Sequence, residues 1–171
     1  MARLEHRLPG AAGALLTDQR ATVEMIADGI HLHPAILKLI IASRGPRDVA
    51  LITDAVSSAG LPDGEYEFIN RKVHVVNGGV RLLDGTLAGS GLTLDSAVRN
   101  IVTFAGAGWA DAIRMASMTP AEITGVADHK GRVAPGMDAD LVVLDEQGFV
   151  RCTWAGGQLI FEREANERLQ E

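Results

Sequence analysis

Residues 48–55 read Asp48-Val49-Ala50-Leu51-Ile52-Thr53-Asp54-Ala55, a short apolar run closed by an acid. Nothing polar interrupts Val49–Ile52, so the run predicts a strand buried on both faces, as in parallel sheets covered by helices. In parallel α/β folds, side chains at the C-terminal ends of strands point into the mouth of the active site. Asp54 is therefore the leading candidate for chemistry. Its other reading is a turn-closing aspartate, which is common in such loops.

Working outward, Val23–Ala27 is a second, partly apolar run, and it too ends in an acid, Asp28-Gly29. Between the two runs, Pro34 stands where a first helical residue tolerates proline, Ile36, Leu37, Ile40 and Ile41 recur at helical spacing, and Gly45 supplies the stop. Strand, helix and strand in this order predict an α/β fold.

Beyond Asp54 the grammar changes. Glu65–Ile69, Lys72–Val76 and Val80–Leu83 are short strand-like runs with a turn signal at Asn77-Gly78-Gly79, so 64–84 reads as a β meander. A glycine-rich loop, Gly85–Gly91, leads into a helix N-capped by Thr93, with Leu94, Ala97, Val98, Ile101, Val102 and Ala105 on its apolar face. A second helix carries Trp109, Ala112, Ile113 and Ala116. Thr119-Pro120-Ala121-Glu122 has the form of a capping box, with Gly125 ending that helix. Ala139–Asp145 then reads as a strand, Val150–Ala155 and Gln158–Arg163 as a hairpin about Gly156-Gly157, and Glu162–Glu171 as a charged tail.

Three further stretches could bind a ligand. Asp28-Gly29-Ile30-His31-Leu32-His33 holds either a zinc-like His-x-His pair or a loop in which His31 meets an anion or hydroxyl. Metal ligation needs further ligands, and only His74 and His129 follow, so contact of His31 with substrate is preferred; His33 also reads as a helix-entry residue. The Gly85–Gly91 loop could cradle an oxyanion with backbone N–H groups, or be only a turn. Arg7 could clamp a phosphate or carboxylate, or stand solvated.

Composition narrows the classes. The 171 residues are 47% hydrophobic and 22% charged, enough for a packed core. A net charge of −6, 4% aromatic residues and dispersed basic residues argue against a nucleic-acid partner. One cysteine, Cys152, excludes an internal disulfide and makes the cytoplasm the expected compartment. No apolar run approaches the ~18–20 residues of a membrane span, and the N-terminus lacks a signal-peptide pattern.

Taken in order, Arg7-x-Pro9-Gly10 with Gly13, Ile26-Ala27-Asp28-Gly29-Ile30-His31, Leu51-Ile52-Thr53-Asp54-Ala55 and Gly85-Thr86-Leu87-Ala88-Gly89-Ser90 closely resemble the C-terminal half of the N-acetylglucosamine-6-phosphate deacetylases, amidohydrolases. Met118-Thr119-Pro120-Ala121 and the stretch from Gly131 through Pro135-Gly136 to Ala139-Asp140-Leu141-Val142-Val143 resemble the closing segment of amidohydrolases more broadly. The resemblance implies the C-terminal part of a (β/α)8 barrel over 1–125, with a β meander inserted near 64–84. Residues 126–171 would be C-terminal strands of a small β-sandwich domain and a charged tail.

It further implies that Asp54 is the catalytic acid/base. Arg7, Asp28, Gly29, Ile30 and His31 would bind the sugar phosphate and its hydroxyls, and Leu87, Ala88 and Gly89 would form the lip of the pocket. The implied cofactor is a divalent metal of the zinc or iron class, whose ligands in the family, a glutamate and two histidines, lie upstream of Met1. Met1 itself matches the methionine of the family's Asn-Ala-Met. The implied partners are a phosphorylated N-acetyl amino sugar, a second subunit in a homodimer and the missing N-terminal half. A whole barrel takes about 250 residues, so the isolated chain is expected to be nearly inactive and prone to self-association. The competing readings are a non-catalytic module, or another amidohydrolase with His31 and His33 as metal ligands.

Overall fold

A computed structural model describes residues 4–164; Met1 and the tail beyond Glu164 lie outside the described residues. Helix α1 (Gly10–Thr17) precedes strand β1 (Val23–Ile26), helix α2 (Pro34–Arg44) and strand β2 (Val49–Ile52). β1 and β2 pair in parallel, Val23 with Val49 through Ile26 with Ile52, so both acid-bearing loops leave the same end of the sheet. Pro34 is the first residue of α2, and Gly45 ends it at φ 74. The fold is α/β, as the sequence predicts. Among the described residues this sheet has two strands.

After Asp54 the chain builds an antiparallel sheet from β3 (Gly64–Phe68), β4 (Arg71–Val76), β5 (Gly79–Leu82) and β6 (Leu87–Ser90), in that order. The glycine-rich loop expected over Gly85–Gly91 is therefore mostly strand. Leu87 pairs with Arg81 and Ser90 with Gly79, leaving only a tight turn in which Leu82 N–H donates to the Thr86 carbonyl at 2.8 Å. An anion cradle is replaced by an edge strand whose backbone groups are engaged. Val73, Val75 and Val80 form a small core under Val56, Tyr66, Phe68, Leu82 and Ala88.

Helices α3 (Leu94–Ala105), α4 (Trp109–Ala116) and α5 (Met118–Thr124) follow. Ala97, Val98 and Ile101 of α3 and Ala112 and Met115 of α4 close over Met25, Leu37, Val49 and Leu51, forming the main core. Leu94, Trp109 and Ile113 lie at its exposed rim instead, while Met115, absent from the expected face, is fully buried. Thr93 occupies the N-cap position, but its hydroxyl donates to Ser96 Oγ at 2.8 Å rather than capping the backbone.

The expected capping box at Thr119 is also corrected. α5 begins at Met118, so Pro120 falls within its first turn, where backbone N–H groups have no intrahelical partner. The buried Thr119 hydroxyl donates to the Pro46 carbonyl, 3.1 Å away, tying α5 to the turn after α2. Gly125 ends α5 in the left-handed region, as its sequence position predicts.

The chain closes with an antiparallel sheet, β7 (Leu141–Leu144), β8 (Val150–Ala155) and β9 (Gln158–Glu162). Arg99 on α3 grips the β7–β8 turn, donating to Asp95 at 2.6 Å and the Gly148 carbonyl at 3.1 Å, with its guanidinium 4.1 Å from the Phe149 ring centroid. Among the described residues no helix is long and apolar enough to cross a membrane.

Candidate functional site

The parallel register carries Asp28 and Asp54 to equivalent places, each two residues past its strand. Asp54 is exposed at φ 48, a left-handed conformation uncommon outside glycine, asparagine and aspartate. The turn is pinned on both sides. Thr53 Oγ1 accepts from Ala55 N–H at 3.3 Å. The Asp54 carbonyl accepts from Ser90 N–H, and Val56 N–H donates back to the Ser90 carbonyl, both at 3.1 Å.

The end of β6 thus splints the Asp54 turn. A Cβ on Gly89 would stand 2.3 Å from Val56 Cγ1, at a φ of 124 that side-chain-bearing residues rarely adopt. Glycine is required there for the two segments to approach.

The Asp28–His31 turn is organised by its own carboxylate. Asp28 Oδ1 accepts the N–H groups of Ile30 at 2.9 Å and His31 at 2.8 Å, and Oδ2 lies 2.6 Å from His31 Nδ1. The side chains are 6% exposed for Asp28 and 19% for His31, so the pair is largely sheltered. An ionised carboxylate only accepts, so Nδ1 carries the proton. His31 Nε2 is then an acceptor for a hydroxyl when the ring is neutral, and a donor to an anion when it is protonated.

Two neighbours support this turn. Asn100 Nδ2 on α3 donates to the Ala27 carbonyl at 2.8 Å, and the Phe104 ring closes on Gly29, 3.2 Å from where a Cβ would stand. On the meander side, Ile30 Cδ1 would meet a Cβ on Gly79 at 3.3 Å. Gly79 pairs with Ser90, and Ser90 bridges to Ala55. The Gly79–Ser90 pair is consequently the joint on which both strand-end turns converge.

Asp28, Gly29, Ile30, His31, Asp54 and Gly89 thus share one neighbourhood, with Leu87 and Ala88 on the same strand as Gly89. Arg7 is exposed in the turn before α1, and among the described residues no hydrogen bond or ion pair joins it to that cluster. His33 caps α2, its Nδ1 accepting Ala35 N–H at 3.2 Å, and so has a different partner from His31. His74 faces Glu65 across the meander, and His129 pairs with Asp128. Among the described residues no three His, Cys, Asp or Glu side chains gather as a metal-ligand set. A separate cavity of about 310 Å³, lined by Leu15, Thr22, Val23, Glu24 and Ile123, flanks the opposite end of β1.

Sequence reasoning missed Asn100, Phe104, Val56 and Gly79. Each acts through a partner distant in the chain, and no local pattern marks it. Ser90 stood within a quoted motif but without a role.

Residues 3–160 match the model of the Amidohydrolase family. The chain belongs to this family. It is 46% identical over 159 residues to N-acetylgalactosamine-6-phosphate deacetylase of Escherichia coli O157:H7, covering 93% of this chain and 42% of that protein. It matches equally a protein of Escherichia coli (strain K12) provisionally given the same name, here covering 95% of the relative. It is 38% identical to N-acetylglucosamine-6-phosphate deacetylase of Bacillus subtilis (strain 168), over 98% of this chain and 42% of that protein.

Among solved structures, N-acetylglucosamine-6-phosphate deacetylase of Thermotoga maritima superposes with a TM-score of 0.88 at 37% identity, covering 95% of this chain and 44% of that one. The Mycobacterium smegmatis enzyme, an aspartate-to-alanine mutant in complex with N-acetyl-D-glucosamine-6-phosphate, superposes with a TM-score of 0.85 at 38% identity, covering 93% and 42%. Except for the strain K12 protein, the amidohydrolase chain spans less than half the length of these relatives.

Proposed function

We propose that this chain carries the acid/base and sugar-binding portion of a deacetylase acting on an N-acetylated amino-sugar 6-phosphate. The observation that carries this reading is the convergence of the Asp54 turn, the Asp28–His31 turn and β6 on the Gly79–Ser90 pair. Residues 1–125 are read as the C-terminal part of a (β/α)8 barrel, and 126–171 as strands of a small β domain with its tail. The family generally uses a divalent metal. The described residues of this chain do not fit a complete metal site, since His31 and His33 have separate partners and among the described residues no third ligand joins them.

In this reading Asp54, exposed at the strand end, accepts a proton from the water that attacks the acetamide carbonyl. It returns that proton to the amine nitrogen as the C–N bond breaks, giving acetate and the free amine. His31 Nε2 holds the sugar or its phosphate, while Leu87, Ala88 and Gly89 border the acetamide. Held in this way, the substrate presents its amide to Asp54 at little entropic cost during reaction. Arg7 is assigned to the phosphate end.

The relatives favour two epimeric substrates. The 46% identical proteins are named for N-acetylgalactosamine 6-phosphate and the Bacillus subtilis relative for N-acetylglucosamine 6-phosphate, so the galacto epimer is the second reading. The test replaces the matching segment of the Bacillus subtilis relative by this chain and measures amine release from both sugar phosphates. Asp54→Asn in that chimera is expected to lower kcat by about 10²–10⁴ with binding retained. An unchanged kcat in this variant would refute the assignment. The isolated chain is expected to turn over little.

A further inference from the structure

We propose that Asn100 is a positioning residue for the Asp28–His31 turn, acting through the Ala27 carbonyl; this rests on the reading of His31 as a substrate contact. Ala27 is the first residue past β1, and it is fully buried. Its carbonyl has left the parallel ladder, and a buried carbonyl left without a donor is destabilising. Asn100 Nδ2 supplies the donor from α3 at 2.8 Å.

The bond sits directly before Asp28, whose carboxylate takes the N–H groups of Ile30 and His31 and faces His31 Nδ1. Where the Ala27 peptide plane points therefore decides where Asp28 begins, and Asp28 decides where the imidazole stands. Phe104, one turn further along α3 on the same face, closes on Gly29 and leaves the turn little room to rotate about that anchor. Among the described residues no hydrogen bond joins Asn100 to Asp54 or His31, and its side-chain bond runs to the Ala27 carbonyl, so its effect on the substrate is read through the turn.

The test uses the full chain, isotopically labelled, with Asn100→Asp and Asn100→Leu compared with the parent. Both variants lack the donor; the second keeps an uncharged side chain of similar size should the added charge perturb folding. Hydrogen exchange at the Ile30 and His31 amides reads the turn, and exchange at Met25 and Leu51 reads the core. Both variants are expected to speed exchange at Ile30 and His31 about tenfold with Met25 and Leu51 unchanged. They are also expected to weaken the response of the His31 ring resonances to added N-acetylglucosamine 6-phosphate.

Unchanged exchange at Ile30 and His31 would overturn the proposal. So would loss of protection at Met25 and Leu51 to the same extent, because Asn100 would then serve the fold as a whole. If the parent's His31 ring ignores the sugar phosphate, the functional reading fails while the exchange data still decide the role of Asn100.

Discussion

Replacing Gly89 by alanine tests the splint between β6 and the Asp54 turn. The added Cβ would stand 2.3 Å from Val56 Cγ1 and 3.5 Å from Val56 Cβ, against an ordinary carbon–carbon contact of about 3.5–4.0 Å. Alanine at φ 124 adds backbone strain of about 1–3 kcal/mol. Relieving the clash by shifting the strand or Val56 costs a further ~1–3 kcal/mol. At about 2–4 °C per kcal/mol for a chain of this size, the thermal midpoint should fall by at least ~4 °C.

Two controls separate the terms. Gly85→Ala, at φ 85 with nothing within 4 Å of its Cβ, carries only the conformational part and should cost about 1–2 kcal/mol. Val56→Ala removes Cγ1, so adding it to Gly89→Ala should recover about 1–3 kcal/mol relative to the sum of the single effects. Thermal unfolding of the four proteins gives this double-mutant cycle. Strict additivity, or a Gly89→Ala variant as stable as Gly85→Ala, would refute the close approach and with it the splinted Asp54 turn.

Two other consequences concern stability. Arg44 is buried and donates to the carbonyls of Asp18, at 2.6 Å, and Ala21; Arg44→Leu strands both acceptors and should cost about 3 kcal/mol, with Arg44→Lys intermediate, measured by denaturant unfolding. Burial raises the Asp95 pKa, but hydrogen bonds to the carboxylate, that of Arg99 at 2.6 Å among them, and the Arg99 charge outweigh it and hold the carboxyl below its ordinary value. A depressed folded pKa stabilises above the unfolded value and is lost as pH falls, so stability should drop below about pH 4. That drop should be smaller in Asp95→Asn, and an identical acid limb in both proteins would contradict it.

The elements that the sequence makes legible are those whose signals are local. Pro34 and Gly45 mark the ends of α2, Asn77-Gly78 marks the β4–β5 turn, and unbroken apolar residues mark β2. Where the deciding partner is remote, local pattern misleads. Leu87-Ala88-Gly89-Ser90 has too little side chain to show alternation and becomes a strand because β5 offers an edge. Thr119 resembles a cap until Pro46 arrives as its acceptor. The site follows the same division: Asp28, His31 and Asp54 are readable because acids after apolar runs announce strand ends. Asn100 and Val56 are not, since each matters only through a segment that folding brings to it.

The bond from Asn100 to Ala27 spans 73 positions of the chain. During synthesis, β1, α2, β2 and the whole meander emerge before the donor that fixes the end of β1. At about 5–20 residues per second, the interval between the two ends of that bond is roughly 4–15 s. The His31 turn is therefore among the last parts of the α/β unit to be completed, and a nascent chain interrupted before α3 would carry its strands with that turn still unset.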